Sequence, residues 1–427
     1  MRFALLHTTW APADVVIVGG GIIGLCAAYS LLKHNSSELS VALVESNKTI
    51  PAPAVGNGSA TGAGQGYLWM AHRNPDSPAW RLAKWSKALW QELLRDDKYL
   101  PEDSVEWQRS GSILLATSLA EAEQLHQREA MLRAVNVDAT MLSTEELRTE
   151  EPALGSAVCA GLLTHSDVQL NGRMAAAALL NACRSHSNGS KLTVLLEHRV
   201  ASFGVCQDTG RVLAVQTDKR RIIPGKAVIL AAGAWTGMLA AKVAPKSSAA
   251  WLASIQPRRG HLLELGPGCT ELGPGCTAPI NHGLMEIGYA QHYASGTAKS
   301  GNDLDITFTA TTSTSGSLLL GSSREFCGFQ GQPSRAVMQA ILDRAAMFLP
   351  ALEGVDASDA HVRVGLRPFS SRGLPYIGQV PGSDGLFVAA GHEGSGLTYG
   401  PASGEIIKNL VLGGEVEQEF SGAFGVP

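Results

Sequence analysis

Near the start of the chain an apolar run, "DVVIV" at residues 14–18, passes directly into "GGGIIG" and then into "LCAAYSLL". Gly19, Gly21 and Gly24 stand at G-x-G-x-x-G spacing, which restricts this region to a buried strand, a tight turn and a helix. A backbone without side chains lets a pyrophosphate approach the helix N-terminus, where unpaired N–H groups and the positive end of the helix dipole meet it. Folds that bind NAD, NADP or FAD share this pattern, and the hexapeptide does not choose among them. The next strand, "SVALVE", ends in Glu45. A carboxylate there accepts a hydrogen bond from a ribose 2′-OH and repels a 2′-phosphate, which argues against NADP.

A chain of 427 residues with 45% hydrophobic and 17% charged residues can build two cored domains. Its 34 basic and 38 acidic side chains give a formal charge of -4, which lacks the basic footprint of a nucleic-acid binder. The cluster Lys219, Arg220, Arg221 reads as a solvated strand end. Seven scattered cysteines without a C-x-x-C argue against a zinc site or disulfide framework, so no metal is expected and a reducing compartment is. Residues 15–32 are apolar enough to suggest a membrane span, but their glycines and the preceding Asp14 suit a buried strand, turn and helix better. "MRFALL" gives way to "HTTW" too soon for a secretory signal, while a degenerate organelle-targeting leader stays open. The expected location is soluble and intracellular, in the cytoplasm or an organelle matrix (plastid or mitochondrion).

Residues 56–67, "GNGSATGAGQGY", hold too much glycine for a helix or strand and run straight into "LWM", which favours a cofactor-cradling loop over a linker. Residues 77–98 and 118–137 carry helix formers at helical spacing, and 142–151 opens with a Ser143-to-Glu146 cap; together they read as a helical insertion. "GRMAAAALLNACRSH" predicts another helix, followed by alternating strands of a small sheet. Residues 226–240, "KAVILAAGAWTGMLA", repeat the strand, glycine turn and helix. The tandem heptad "ELGPGCTELGPGCT" at 264–277 reads as a slipped duplication lengthening a hairpin, not as a metal pair of Cys269 and Cys276. Near the C-terminus "LFVAA" feeds a glycine-rich turn, 391–400, and a helix expected from about Pro401 to Leu412.

Taken together, "VVIVGGGIIGLCAAYSLL", "VILAAGAWTG" and the segment "GLRPFSSRGLPYIG…LFVAAGHEGSGLTYGPASGEII" resemble, in this order, the D-amino-acid oxidase/glycine oxidase/sarcosine oxidase family of FAD enzymes. The resemblance implies an α/β fold: a Rossmann-like FAD/NAD(P)-binding domain assembled from 14–70, 160–240 and 360–415, with an α+β substrate domain from 71–159 and 241–359 built on an antiparallel sheet. It selects FAD over NAD, because the second glycine-rich turn and helix N-terminus suit the charge of a reduced flavin. The implied cofactor contacts are Gly19, Gly21, Ile22, Ile23, Gly24, Glu45, Ser46, Thr61, Gly62, Ala63, Gly64, Gln65, Val200, Ala232, Gly233 and Trp235. Toward the C-terminus they continue with Arg367, His392, Glu393, Gly394, Ser395, Gly396 and Leu397.

The arginine of the family's Gly-x-Arg-Pro stretch grips the substrate carboxylate, and Arg367 in "GLRP" matches it. Leu366 stands where sarcosine oxidases attach their flavin through a cysteine, so the expected FAD is not covalently bound. Glu393 follows His392 where some glycine oxidases place a basic residue, and Leu319 stands where sarcosine oxidases place an oxygen-activating lysine. The electron acceptor, O2 or another, is therefore not read from the sequence, and neither is the oligomeric state. His282, Tyr289 and Arg324, with His261 and His292, are candidates for orienting a zwitterion. The implied reaction oxidises the C–N bond of a D-amino acid, glycine or small secondary amine by hydride transfer to the flavin. The alternatives are a flavoprotein with a scaffold role and an NAD-dependent dehydrogenase.

Overall fold

The computed structural model describes residues 12–34, 39–56, 58–187, 191–266, 280–289 and 304–427. Nearly all of the tandem heptad, both its cysteines and His292 lie outside the described residues. The chain divides into two compact units, one of 1–52, 176–256 and 368–427, the other of 53–175 and 257–367. Among the described residues no helix is long and apolar enough to cross a membrane.

Continuous β-branched and apolar runs make strands buried on both faces, and the first unit is built on such a sheet. Its strands lie in the order Tyr376–Gln379, Leu386–Ala390, Pro224–Leu230, Ala13–Val18, Val41–Val44, Leu192–Leu195. Pairing is parallel except for the edge hairpin of the first two. A three-stranded antiparallel sheet, Val200–Val205 with Val212–Thr217 and Arg221–Ile222, belongs to the same unit.

The first helix, Ile22–Lys33, packs against the long helix Gly396–Leu412, and small residues set how closely they approach. A Cβ at Gly404 would lie 2.6 Å from the Cys26 carbonyl oxygen, and one at Gly400 would lie 2.9 Å from Cys26 Sγ. The long helix begins at Gly396, so Pro401 sits inside it and not near its start as the sequence suggests. Proline removes one ladder hydrogen bond from a helix interior, a cost of about 3 kcal/mol that the packing of both helices must offset.

The second unit centres on an eight-stranded sheet ordered His361–Ser370, Ile255–Leu265, Leu318–Arg324, Asp305–Thr312, Gly283–Glu286, Ser112–Ala116, Ala160–Thr164, Ala139–Leu142. From Ile255–Leu265 to Ala139–Leu142 neighbouring strands pair antiparallel but for Gly283–Glu286 on Ser112–Ala116. One face is apolar: Leu263, Leu265, Leu284, Phe308, Ala310 and Leu320 pack with Val337, Met338, Ile341 and Leu342 of the helix Arg335–Ala346. On the other face Leu114, Leu162 and Met285 meet Leu125 and Leu132 of the helix Leu119–Ala134.

Other expectations also differ from this arrangement. The region read as a helical insertion does contain Pro78–Asp96, Leu119–Ala134 and Thr144–Glu150, the last with its Ser143–Glu146 capping box, but strands of the large sheet alternate with them. Residues 53–70, 160–175 and 360–367, expected with the nucleotide-binding segments, cluster with the second unit, where Tyr67–Leu68 pairs with Val168–Gln169, and 241–256, expected in the substrate domain, clusters with the first.

Candidate functional site

The first unit carries a cradle at the C-terminal ends of its parallel strands. Gly19 has φ +116°, and a Cβ there would lie 2.4 Å from the Ala231 carbonyl oxygen. At Gly24 a Cβ would lie 2.0 Å from the Gly19 oxygen, so the helix must enter against bare backbone. Gly21 caps that helix without a side-chain hydrogen bond. The Gly20 N–H donates to Glu45 Oε2 at 2.8 Å, while Oε1 accepts from Asn47 N at 2.8 Å and from Ser46 Oγ at 3.3 Å. Oε1 also accepts from Asn47 Nδ2 at 2.6 Å, so Glu45 is held at the end of its strand beside the turn with acceptor capacity remaining on Oε2. Val200 is buried in the same unit, and Ala232, Gly233 and Trp235 form the turn after Pro224–Leu230, with Gly233 at φ +54°.

The second glycine turn follows Leu386–Ala390. Buried His392 meets Ser403 Oγ through Nε2 at 3.0 Å, and Ser403 donates its own proton to the Tyr399 carbonyl at 2.8 Å. That fixes the proton on Nε2 and leaves Nδ1 a buried acceptor without a partner among the described residues. Burial pushes the His392 pKa down to about 3, so the ring is neutral. Ser395 N–H donates to the His392 carbonyl at 2.9 Å, and Gly394 N–H donates to the Glu393 carboxylate. Gly396 and Leu397 open the long helix.

The second unit presents a polar stretch on one sheet face. Thr307, Thr309 and Thr311 alternate with Phe308 and Ala310, so their hydroxyls lie opposite the apolar core. Gln65 joins them, donating to Thr311 Oγ1 at 3.3 Å and the Leu319 carbonyl at 3.1 Å while accepting from Thr309 at 2.8 Å. Thr61, Gly62, Ala63 and Gly64 form or cap a four-residue helix, Ala60–Ala63. A Cβ on Gly365 would lie 2.9 Å from that of Ala63, and Leu366 N–H donates to the Gly58 carbonyl at 2.9 Å. The glycine-rich stretch therefore docks on the strand that carries Arg367.

Arg367 lies flat on the neighbouring strand, where a Cβ on Gly260 would fall 2.3 Å from Nη1. Nη1 donates to the Ser323 carbonyl at 2.8 Å, and among the described residues no carboxylate pairs with the guanidinium. Other arginines of this unit are neutralised: Arg259 by Glu325, Arg324 by Asp305, Arg344 by Glu286 and Arg363 by Glu264. His261 bonds Ser323 Oγ at 3.0 Å and accepts from Ser334 N at 3.1 Å; burial, chiefly, lowers its pKa to about 4.

Of the remaining candidates, Tyr289 and Arg324 come together and His282 stands apart. The Arg324 guanidinium carbon lies 4.3 Å from the Tyr289 ring centre, and Tyr289 shares a 2.5 Å hydrogen bond with Tyr67. Buried His72 packs edge-on to both tyrosines. Its pKa is held well below the ordinary value by burial and by Arg73, Arg128 and Arg324. His282 is tied instead to buried Glu151, through Nδ1 at 2.9 Å and its backbone N–H at 2.5 Å. Tyr67, His72 and Gly260 were not singled out from the sequence; a glycine in the middle of a strand was the available signal for Gly260. Asp167 supports this cluster, accepting from Met70 N, Ala71 N, Ser112 Oγ and Lys87 Nζ at 2.7, 3.1, 2.8 and 3.3 Å.

The sequence model of the family described as FAD dependent oxidoreductase matches residues 14–410. The chain belongs to that family. It is 28% identical to the glycine oxidase of Geobacillus kaustophilus (strain HTA426) over 93% of this chain and 92% of that protein. The crystal structure of glycine oxidase from Geobacillus kaustophilus superposes with a TM-score of 0.75 at 25% identity, covering 97% of this chain and 98% of that one. The L-proline dehydrogenase of P. horikoshii shares the fold, with a TM-score of 0.75 at 20% identity over 96% of each chain.

Membership makes the protein an FAD-dependent oxidoreductase, and the first unit's cradle fits that cofactor. Gly19 and Gly24 leave backbone room that a Cβ would fill, Glu45 presents an acceptor oxygen beside the turn, and His392 Nδ1 is a buried acceptor without a partner among the described residues. The NAD-dependent alternative is set aside by the family. Glu45→Gln should weaken FAD binding about tenfold, as expected when a charged hydrogen-bond acceptor becomes neutral; flavin titration of the apoprotein measures it.

The histidines set a pH dependence of stability. His261 and His392 titrate lower in the folded chain than unfolded, where their pKa is ordinary, so their stabilisation is complete above that value. It is lost as pH falls toward about 4 for His261 and about 3 for His392. Urea midpoints should drop through this window, with up to ~1.4 kcal/mol per pH unit from each ring, and His392→Asn should flatten the fall.

Proposed function

We propose that the protein oxidises the C–N bond of a small amino acid or secondary amine carrying a free carboxylate, with FAD bound non-covalently. The observation that carries this reading is Arg367, a half-buried guanidinium on a bare strand backbone, with no carboxylate of the described residues to neutralise it. Such a group binds a carboxylate through two parallel hydrogen bonds. The relatives' glycine oxidase activity supports the same substrate class.

When bound, FAD would supply the two-electron oxidant for the substrate's Cα–N bond. Gly19, Gly21 and Gly24 would admit its pyrophosphate, Glu45 its ribose, and the turn at 392–397 its flavin pyrimidine edge. Arg367 holds the carboxylate and thereby orients the Cα–N bond. Tyr289 and Arg324, braced by Tyr67, Thr307 and Asp305, shape the polar surface that receives the amine end. No side-chain base of high pKa is required, since an amine with a free lone pair expels the hydride, and the imine then hydrolyses in water. The Glu151 pairing gives His282 a structural role.

The reading is tested by incubating the FAD-loaded protein and a dye electron acceptor with glycine, sarcosine and a set of D-amino acids, then assaying the carbonyl product and released amine. One substrate yielding the two in equal amounts supports it. A stably FAD-loaded protein that turns over none of them would favour a scaffold role.

A further inference from the structure

Two strands of the second unit, Ile255–Leu265 and Leu318–Arg324, pair in register from Leu265–Leu318 to Leu263–Leu320, and the register shifts by one residue before Arg259 meets Glu325. Arg259 and Glu325 exchange both backbone hydrogen bonds, at 2.9 and 3.1 Å, and their side chains form an ion pair at 2.8 Å. In a regular antiparallel ladder the next such pair, two residues on, would join the His261 N–H to the Ser323 carbonyl. Here Ser323 Oγ takes the His261 N–H at 2.9 Å, and the Ser323 carbonyl takes Arg367 Nη1 at 2.8 Å. The serine side chain stands in for its own carbonyl, which is left to the guanidinium.

The His261 ring holds this exchange in place. Ser334 N–H can only donate, so the Nε2 it reaches at 3.1 Å is an acceptor and the proton of the neutral ring sits on Nδ1. Nδ1 then donates to Ser323 Oγ at 3.0 Å, which fills both lone pairs of that oxygen. Both side chains are buried, and burial is the main cause that lowers the ring's pKa to about 4. Gly260, between Arg259 and His261, leaves the strand bare where the guanidinium lies.

We propose that Ser323 and His261 are positioning residues for the substrate carboxylate: the serine hydroxyl, fixed by the histidine, frees the carbonyl that anchors Arg367 Nη1 and leaves the other guanidinium donors to the ligand. This rests on the reading that Arg367 binds the carboxylate, and both residues act through Arg367. A guanidinium anchored at one nitrogen loses less freedom when it binds a carboxylate, so the anchor strengthens binding and leaves the chemical step alone.

The test titrates acetate into the FAD-loaded protein, followed by the NMR relaxation of the acetate methyl protons, beside steady-state kinetics with the preferred amine substrate. Ser323→Ala removes the acceptor and His261→Leu removes the ring donor. Each is expected to weaken acetate binding about tenfold or more, toward the Arg367→Ala level, and to raise KM by a similar factor. The loss should fall on KM, with kcat lowered by less than about threefold. His261→Asn, whose amide replaces the Nδ1 donor but loses Ser334, should stay within about threefold of wild type in acetate affinity and KM. A role in folding alone would lower flavin content and kcat together, and the asparagine variant would fail with the leucine variant. Acetate binding unchanged in Ser323→Ala and His261→Leu, weakened equally in His261→Asn, or equal in wild type and Arg367→Ala would overturn the proposal. If acetate binding follows the expected pattern while no amine reduces the flavin, the functional reading above fails and this one stands. If an amine is oxidised with the same KM in wild type and Ser323→Ala, the reverse holds.

Discussion

Arg367→Ala is expected to raise the KM for the amine substrate about 100-fold or more, the loss typical of removing one partner of a desolvated charge pair. Arg367 has no neutralising carboxylate among the described residues, and its flat seat on Gly260 holds the guanidinium plane without covering its edge with a Cβ. Arg367→Lys should recover little, because an ammonium cannot present two parallel donors. FAD content should be unaffected in both variants, which separates substrate binding from folding. Steady-state kinetics with the preferred substrate provides the measurement; a KM within threefold of wild type would remove Arg367 from the site.

Gly24→Ala should abolish FAD retention and lower the melting temperature. The added Cβ would be placed 2.0 Å from the Gly19 oxygen and 3.1 Å from its carbonyl carbon, both backbone atoms of the turn itself. Relief would require the helix Ile22–Lys33 to move off the strand Ala13–Val18, and the opposing helix restrains that motion through Gly400 and Gly404. A purified variant with less than a tenth of the wild-type flavin-to-protein absorbance ratio is the expected result. Gly422→Ala is the control: a Cβ there meets nothing within 4 Å, so both flavin content and melting temperature should hold.

Much of the nucleotide cradle was legible because its signals are local. Strand, glycine turn, helix and terminal Glu45 are contiguous in sequence, and each glycine has a backbone reason visible in the spacing. The same holds for the "GLRP" strand and the Ser143–Glu146 cap. Strands in the supposed helical insertion were missed because apolar runs as short as Ser112–Ala116 or Ala139–Leu142 have no period that separates strand from helix. Only their pairing within the large sheet decides the matter. The start of the long helix differs for a related reason: proline is weighed locally as a helix opener, whereas Gly400 and Gly404, on either side of Pro401, pack the helix against Cys26 and keep the proline inside it.

Groups brought together over long separations left no local trace. Tyr67 and Tyr289 share a hydrogen bond across 222 positions, and Asp167 holds the backbone at Met70 from 97 positions away. The sequence could name Tyr289 and Arg324 as polar residues on strands or their ends, but not that one stacks on the other. Conversely, His282 looked like Tyr289 in sequence terms, and its attachment to Glu151 depends on a contact 131 positions distant.

The most direct test of the account is the visible spectrum of the purified protein under anaerobic conditions, recorded before and after one equivalent of a carboxylate-bearing amine. The expected result is an oxidised flavin spectrum that bleaches, a cofactor released by acid denaturation, and no bleaching in Arg367→Ala at the same concentration. A flavin that bleaches equally in wild type and Arg367→Ala, or one that no carboxylate-bearing amine reduces, would contradict it.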